Sequence, residues 1–210
     1  MKKKHIITLS GRPGSGKSST ADKVAELLGY TRFSSGEMVR ATLSERGMTL
    51  AEFNEKAQDD HSLDEAIDEQ LRSLREKSDI IVDSRLGFYW IPESFKVFLE
   101  LDMDVATARI FKDTIDNASR GQGAGTASTI GEVAKQVQER VTNERSRYRR
   151  LYGVDPYQTS HFDLVINTSR HSPQTVALTV FDTYKKWLHS DTWEPVYSEI
   201  PMGFSMKNKY

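Results

Sequence analysis

The chain has no cysteine among its 210 residues. That absence excludes disulfides, thiolate metal sites and thiol nucleophiles together. Histidine is scarce as well: the 5 present are scattered and read as ordinary surface or core side chains. Neither charge sign is in excess, with 29 Lys and Arg against 30 Asp and Glu. Bulk electrostatics therefore give no reason to expect a nucleic-acid or membrane-surface partner, and any basic function has to be local. Long apolar runs are missing too, since nothing approaches the roughly 18 residues of a membrane span. The opening "MKKKHIITLSGRPG" places lysines before apolar residues, as a signal peptide does. Its apolar run is only about four residues, against the roughly 7–15 that an exported leader needs. The expected setting is the cytoplasm, and the expected state is a monomer or weak homodimer.

What is present is a regular alternation. "HIITL", "TRF", "DIIVD", "KVFLEL" and "FDLVIN" read as short buried strands, separated by segments of helical period. Gly29 supplies a helix C-cap for "KSSTADKVAELLG". Capping boxes predict helices from Thr49, with Glu52 three residues on, and from Ser62, with Glu65 three residues on. Asp104 is the expected N-cap of "DVATARIFKDTID", and Pro173 sits in a first turn behind Ser172. "NASRGQGAGTAST" cannot bury apolar area and reads as a loop; a long polar helix starts near Thr129. Strands alternating with helices predict an α/β fold of three layers with a five-stranded parallel sheet. The segment from about His189, with Trp193, Pro195, Tyr197, Pro201 and Phe204, either packs on the body or docks on a second subunit.

The first strand runs into "GRPGSGKSS", which matches G-x-x-x-x-G-K-[ST] in full. Gly11, Gly14 and Gly16 let backbone N–H groups turn inward, and the helix starting there adds its positive end. Lys17 is expected on the β- and γ-phosphates, and Ser18 on a magnesium ion, with Ser15 and Ser19 completing the loop. The preceding strand and following helix are the context that confirms the motif. Such a phosphate-binding loop (P-loop) needs an acid at the end of a neighbouring strand. "DIIVD" supplies Asp83 there as metal support.

The acceptor is read from residues just beyond strand ends, where open α/β sheets bind ligands. "FSSGEMVR" puts Ser35, Gly36 and Arg40 there, and "VDSRLGFYW" puts Arg85 there. Two converging arginines make a clamp for a second phosphate. No N-K-x-D segment of a GTPase switch occurs. Asp64 and Asp68, four residues apart, share a helix face and could accept from the exocyclic amine of cytosine. A solvated acidic face is the competing reading.

In this order and spacing, "GRPGSGKSSTADKVAELLG", "FSSGEMVR", "EFNEKAQDDHSLDEAIDEQLRSL", "IIVDSRLGFYW", "NERSRYRRLYGVD" and "FDLVIN" resemble the nucleoside monophosphate kinases. The chain is most similar to the short cytidylate kinases of archaea and some bacteria, over about residues 4–188. The resemblance implies ATP as donor, Mg²⁺, and a nucleoside monophosphate acceptor, with CMP or dCMP favoured. It implies that Arg40 and Arg85 hold the acceptor phosphate. Arg140 and Arg147, with Glu144 between them, resemble the lid set that contacts the transferring phosphates. The implied layout is a kinase domain over 1–188, an acceptor-binding insertion over about 35–78, a lid over about 109–150, and a tail over 189–210. Asn117 to Thr129 departs from the family pattern in being longer and richer in glycine. Adenylate kinase, a kinase for a small hydroxyl acceptor, and a non-enzymatic nucleotide-binding protein remain the alternatives.

Overall fold

The computed structural model describes residues 3–48, 62–116 and 129–198. At its centre is a six-stranded sheet in the order β2-β3-β1-β4-β5-β6. The strands are β1 (Ile6–Gly11), β2 (Thr31–Ser34), β3 (Ile80–Asp83), β4 (Phe95–Glu100), β5 (Leu164–Asn167) and β6 (Val196–Ser198). Every neighbouring pair is parallel. Parallel strands need crossovers, which here are α1 (Lys17–Leu28), α2 (Ser35–Glu45), α3 (Ser62–Ser73), α5 (Met103–Asp116), α6 (Ile130–Tyr152) and α7 (Pro173–His189). A single turn, α4 (Gly87–Trp90), follows β3.

Side chains alternate across β1 and so feed two different cores. Ile7 and Leu9 pack with Ala21 and Val24 of α1 and with Val176, Val180 and Tyr184 of α7. Ile6 faces the other way, toward Leu71 of α3, Ile80 and Val82. A third cluster joins Phe98 and Val165 of the sheet to Val141 of α6, Tyr157 and Phe162. The sheet is thus covered on both faces, which explains the nearly continuous apolar runs of its strands.

Local signals explain most boundaries. Thr129 and Glu132 form the capping box that starts α6, and Gly153 ends it in the left-handed conformation. Ser172 caps α7 with Pro173 behind it, and Gly29 ends α1. Two expectations need correction. Asp104 is not the N-cap of α5 but lies in its first turn; Ala106 N–H already bonds to the carbonyl of Asp102 at 2.9 Å, so the helix starts earlier. The sheet has six strands where five are expected, because Val196–Ser198 adds a parallel edge beside β5. A run of three residues carries too little periodicity to be read as a strand. The tail therefore packs on the body as far as Ser198: Trp193 donates to the Asp163 carbonyl at 3.2 Å and stands edge-on to Phe95. The expected helix from Thr49 and the glycine-rich stretch 117–128 lie outside the described residues.

The end of β1 fixes where the loop leaves the sheet. Gly11 has φ 154°, and a Cβ built on it would lie 2.4 Å from the Leu99 carbonyl oxygen of β4. Only glycine lets the two strands approach that closely. Replacing Gly11 by Ala is expected to cost about 2–3 kcal/mol of stability, because the clash is with backbone that cannot move aside. Gly131, near the start of α6, has nothing within 4 Å of a built Cβ; Gly131→Ala should leave stability unchanged or raised. Urea unfolding of the two variants checks the contrast, and equal stability of Gly11→Ala and wild type would refute the steric account.

Candidate active site

Helix α1 begins without a cap. Its N-cap is Gly16, with φ 80° and no side chain to accept from the first turn, whereas Ser34, Thr129 and Ser172 cap α2, α6 and α7. The first-turn N–H groups, those of Lys17, Ser18 and Ser19 among them, have no intrahelical acceptor. They face whatever fills the loop, together with the positive end of the helix dipole. The Ser15 hydroxyl oxygen adds a buried polar atom with no hydrogen-bond partner. Buried polar atoms are rarely left unpaired in this way. An uncapped helix end, an orphaned hydroxyl and exposed Ser18 and Ser19 make an anion cradle.

Two oxygens flank that cradle. Ser18 Oγ donates to Asp83 Oδ2 at 2.8 Å, with Asp83 buried at the end of β3. No group of three or more His, Cys, Asp or Glu side chains suited to a metal occurs among the described residues. Ser18 and Asp83 offer one or two oxygens to a hard cation that fills the rest of its shell from phosphates and water, as magnesium does. Arg32, on β2, also reaches Asp83 Oδ2 at 3.3 Å while pairing with Asp22 of α1 and Glu37 of α2. Sequence reasoning missed Arg32; a charged residue inside a short strand is the signal that was there. The Ser35 hydroxyl donates to the Asp83 carbonyl at 3.3 Å.

The half-buried Lys17 carries an unusual charge balance. Burial and the neighbouring Arg85 guanidinium lower its ammonium to about 7, against an opposing pull from Asp83. Positive charge is in excess here, which is what an anion site requires. Arg85 is held by Glu144 of α6, with Nε to Oε2 at 2.8 Å, and Arg140 Nε meets the other oxygen at 2.9 Å. The Tyr157 hydroxyl also donates to Glu144. Burial opposes the Arg85 charge, yet Glu144 raises its pKa above the ordinary value. For Glu144, burial favours the acid, but Arg85 and Arg140 hold the carboxyl well below the usual carboxylate range.

The remaining sequence-predicted residues divide between two places. Arg40 is exposed on α2, with one guanidinium nitrogen 3.5 Å from a Cβ built on Gly36. Arg147, three residues beyond Glu144, turns instead to α3 and forms an ion pair with the buried Asp64. Asp68, one turn on, accepts from Trp90 Nε1 at 3.0 Å and from the Tyr152 hydroxyl. Burial raises the Asp68 pKa, against the pull of those two donors. The loop's far side is braced by Arg109, a residue on no motif, which donates to the carbonyls of Thr168 at 2.8 Å and Gly14 at 3.5 Å.

A pH dependence follows from Glu144. Its folded-state pKa is depressed, so its contribution is complete above the unfolded value near 4.5 and fades as pH falls below it. Glu144→Gln leaves Arg85 buried without its carboxylate and is expected to lose about 3 kcal/mol at neutral pH. Between pH 6 and pH 3 the wild type should lose stability more steeply than the variant, so that the two converge. Thermal unfolding across that range measures it; parallel curves would contradict the assignment.

The chain matches known proteins over most of its length. A family model described as the cytidylate kinase-like family matches residues 6–170. The chain is 34% identical over 180 residues to a cytidylate kinase of Halobacterium salinarum, covering 84% of this chain and 88% of that one. It is 35% identical over 172 residues to a cytidylate kinase of Methanopyrus kandleri, covering 80% and 86%. Among solved structures, a shikimate kinase from Acinetobacter baumannii in complex with shikimate superposes with a TM-score of 0.60 at 14% identity, covering 90% of this chain and 97% of that one. That last likeness is one of fold. With a P-loop, a buried acid beside it and relatives that match over most of their length, the chain belongs to the cytidylate kinase-like family.

Proposed function

We propose that the protein transfers the γ-phosphoryl group of ATP, with Mg²⁺, to a nucleoside monophosphate, and that CMP and dCMP are the preferred acceptors. The observation that carries the reading is the uncapped start of α1 with Ser18 and Asp83 side by side at its mouth. Family membership supports the monophosphate acceptor. The amides of residues 16–19 and Lys17 hold the donor's phosphates. Ser18 and Asp83 would hold the magnesium ion, which supplies charge neutralisation at the transferring group. Arg40 and Arg85 orient the acceptor phosphate, next to Ser35 and Gly36, while Asp64 and Asp68 line the base side. Arg140 of α6 brings cationic charge from the lid side, and Arg147, paired with Asp64, would add its charge only on leaving that partner.

In the transfer, an oxygen of the acceptor phosphate forms a bond to the γ-phosphorus, and the bond from that phosphorus to the β-phosphate oxygen breaks. The products are two nucleoside diphosphates. The attacking oxygen is already anionic, so no side chain has to remove a proton. The protein's work is alignment and charge stabilisation. Glu144 suits that work. It keeps Arg85 charged and in place while leaving the guanidinium edge that it does not occupy for phosphate.

A phosphotransfer assay with Mg-ATP across CMP, dCMP, UMP and AMP tests the proposal. CMP and dCMP should lead, and a clear lead for AMP would overturn the choice of acceptor. Lys17→Ala is expected to abolish transfer with little change in melting temperature. Arg40→Ala should raise the KM for CMP at least tenfold more than that for ATP, the order of effect of losing one charge-assisted phosphate contact. Equal damage to both substrates would move Arg40 out of the acceptor site.

A further inference from the structure

Tyr157 belongs to none of the motifs above, yet three guanidinium groups surround its ring. Arg145 of α6 lies 5.6 Å from the ring centroid, and Arg85 and Arg12 each lie 5.9 Å away. They come from three parts of the chain: the long helix, the segment after β3, and the phosphate loop itself. Two are already neutralised in part, Arg85 by Glu144 at 2.8 Å and Arg145 by Asp155 at 3.0 Å. Arg12 has no ion pair among the described residues; the ring is its anchor.

The ring itself is fixed on every side. It is buried, in the same core cluster as Leu86, Phe98, Val141 and Phe162. Its hydroxyl donates to Glu144, and its backbone N–H donates to Asp155 Oδ1 at 3.0 Å. Asp155 is in turn held by Arg145 and by Arg149, the latter at 2.7 Å. A carboxylate in the ring's position would gather the same arginines but cancel their charge and compete with phosphate for them. The face of an aromatic ring attracts guanidinium groups through its quadrupole and brings no net charge. Arginines collected in this way keep their positive charge for an incoming anion.

We propose that Tyr157 is a positioning residue for phosphoryl transfer, whose ring holds Arg12 and Arg85 as a fixed cationic wall between the phosphate loop and α6. The inference rests on the transfer reaction proposed above. It assigns to Arg12 a phosphate-facing role that the loop motif, in which its position is open to any residue, does not specify. Burial and the backbone bond to Asp155 keep the ring in place, with the hydroxyl adding to them; the ring keeps the arginines.

The test is a series of variants assayed for transfer from Mg-ATP to CMP, with rates referred to folded protein. Tyr157→Phe keeps the ring and should retain kcat within about threefold, whereas Tyr157→Leu should lower kcat about tenfold or more with the KM for ATP changed less than about threefold. Arg12→Ala lies on a half-buried loop side chain, outside the core, and remains informative should Tyr157→Leu fail to fold. It is expected to lower kcat to a similar extent. The double variant should be no worse than the poorer single one, because both remove the same arrangement. In the free protein, the Nε–H resonances of Arg12, Arg85 and Arg145 should show ring-current shifts that persist in Tyr157→Phe and vanish in Tyr157→Leu. Multiplying effects in the double variant, or a normal kcat in Tyr157→Leu or Arg12→Ala, would overturn the inference while leaving the reaction intact. A wild type that transfers phosphate to no nucleoside monophosphate would overturn the proposed reaction, and the inference with it.

Discussion

Strand β1 is hydrogen-bonded on both edges, with Leu9 opposite Asp83 of β3 and Gly11 opposite Leu99 of β4. The candidate site depends on that register. The pairing with β3 delivers the buried acid next to the loop; the pairing with β4 brings a backbone oxygen so close that the loop has to begin with glycine. A slip of one residue would turn Ile7 and Leu9 away from α1 and α7 and carry the acid off with them. The cores on the two faces of the sheet and the site at its edge are therefore fixed by the same hydrogen bonds.

Charge in the site is arranged around one half-buried carboxylate. Glu144 accepts from Arg85, Arg140 and Tyr157, which come from the segment after β3, from α6 and from the loop beyond it. An ion pair of this kind contributes little net stability when weighed against apolar packing, since both partners give up water. Its value is geometric. It brings arginines to the rim of a phosphate loop, where repulsion with Lys17 would otherwise drive them apart; burial first, and then Arg85, lower the Lys17 pKa there. Arg32 performs the converse task at the other edge, bridging Asp22, Glu37 and Asp83 and so tying α1, α2 and β3 together.

Polar contacts join α3 to α6. Arg147 pairs with Asp64, and Tyr152 with Asp68, which Trp90 also reaches. The two acids of α3 are thus engaged by protein groups.

The sequence alone determined the strand–helix alternation, the phosphate loop and the strand-end acid, because each rests on short-range physics. Apolar runs of four or five residues, glycines at fixed offsets and capping residues act within one or two turns of their own chain. That Ser18 and Asp83 serve one site was legible because the loop calls for an acid at the end of a neighbouring strand and "DIIVD" supplies one; that the two side chains bond directly was not. The tertiary structure decided what depended on distant segments meeting. Arg85 was readable as a site arginine, but its partner Glu144 lies 59 residues away, and helical spacing could suggest only that Glu144 meets Arg140. Arg147 shares a face with Glu144 by periodicity, yet the approach of α3 turns it to Asp64, 83 residues away. Tyr157 carried no signal at all. A tyrosine after "YGVDP" becomes a hub for three arginines only when the loop, the segment after β3 and α6 are brought to one edge of the sheet. The sixth strand escaped for a related reason: three residues form a strand only because β5 presents an open edge beside them.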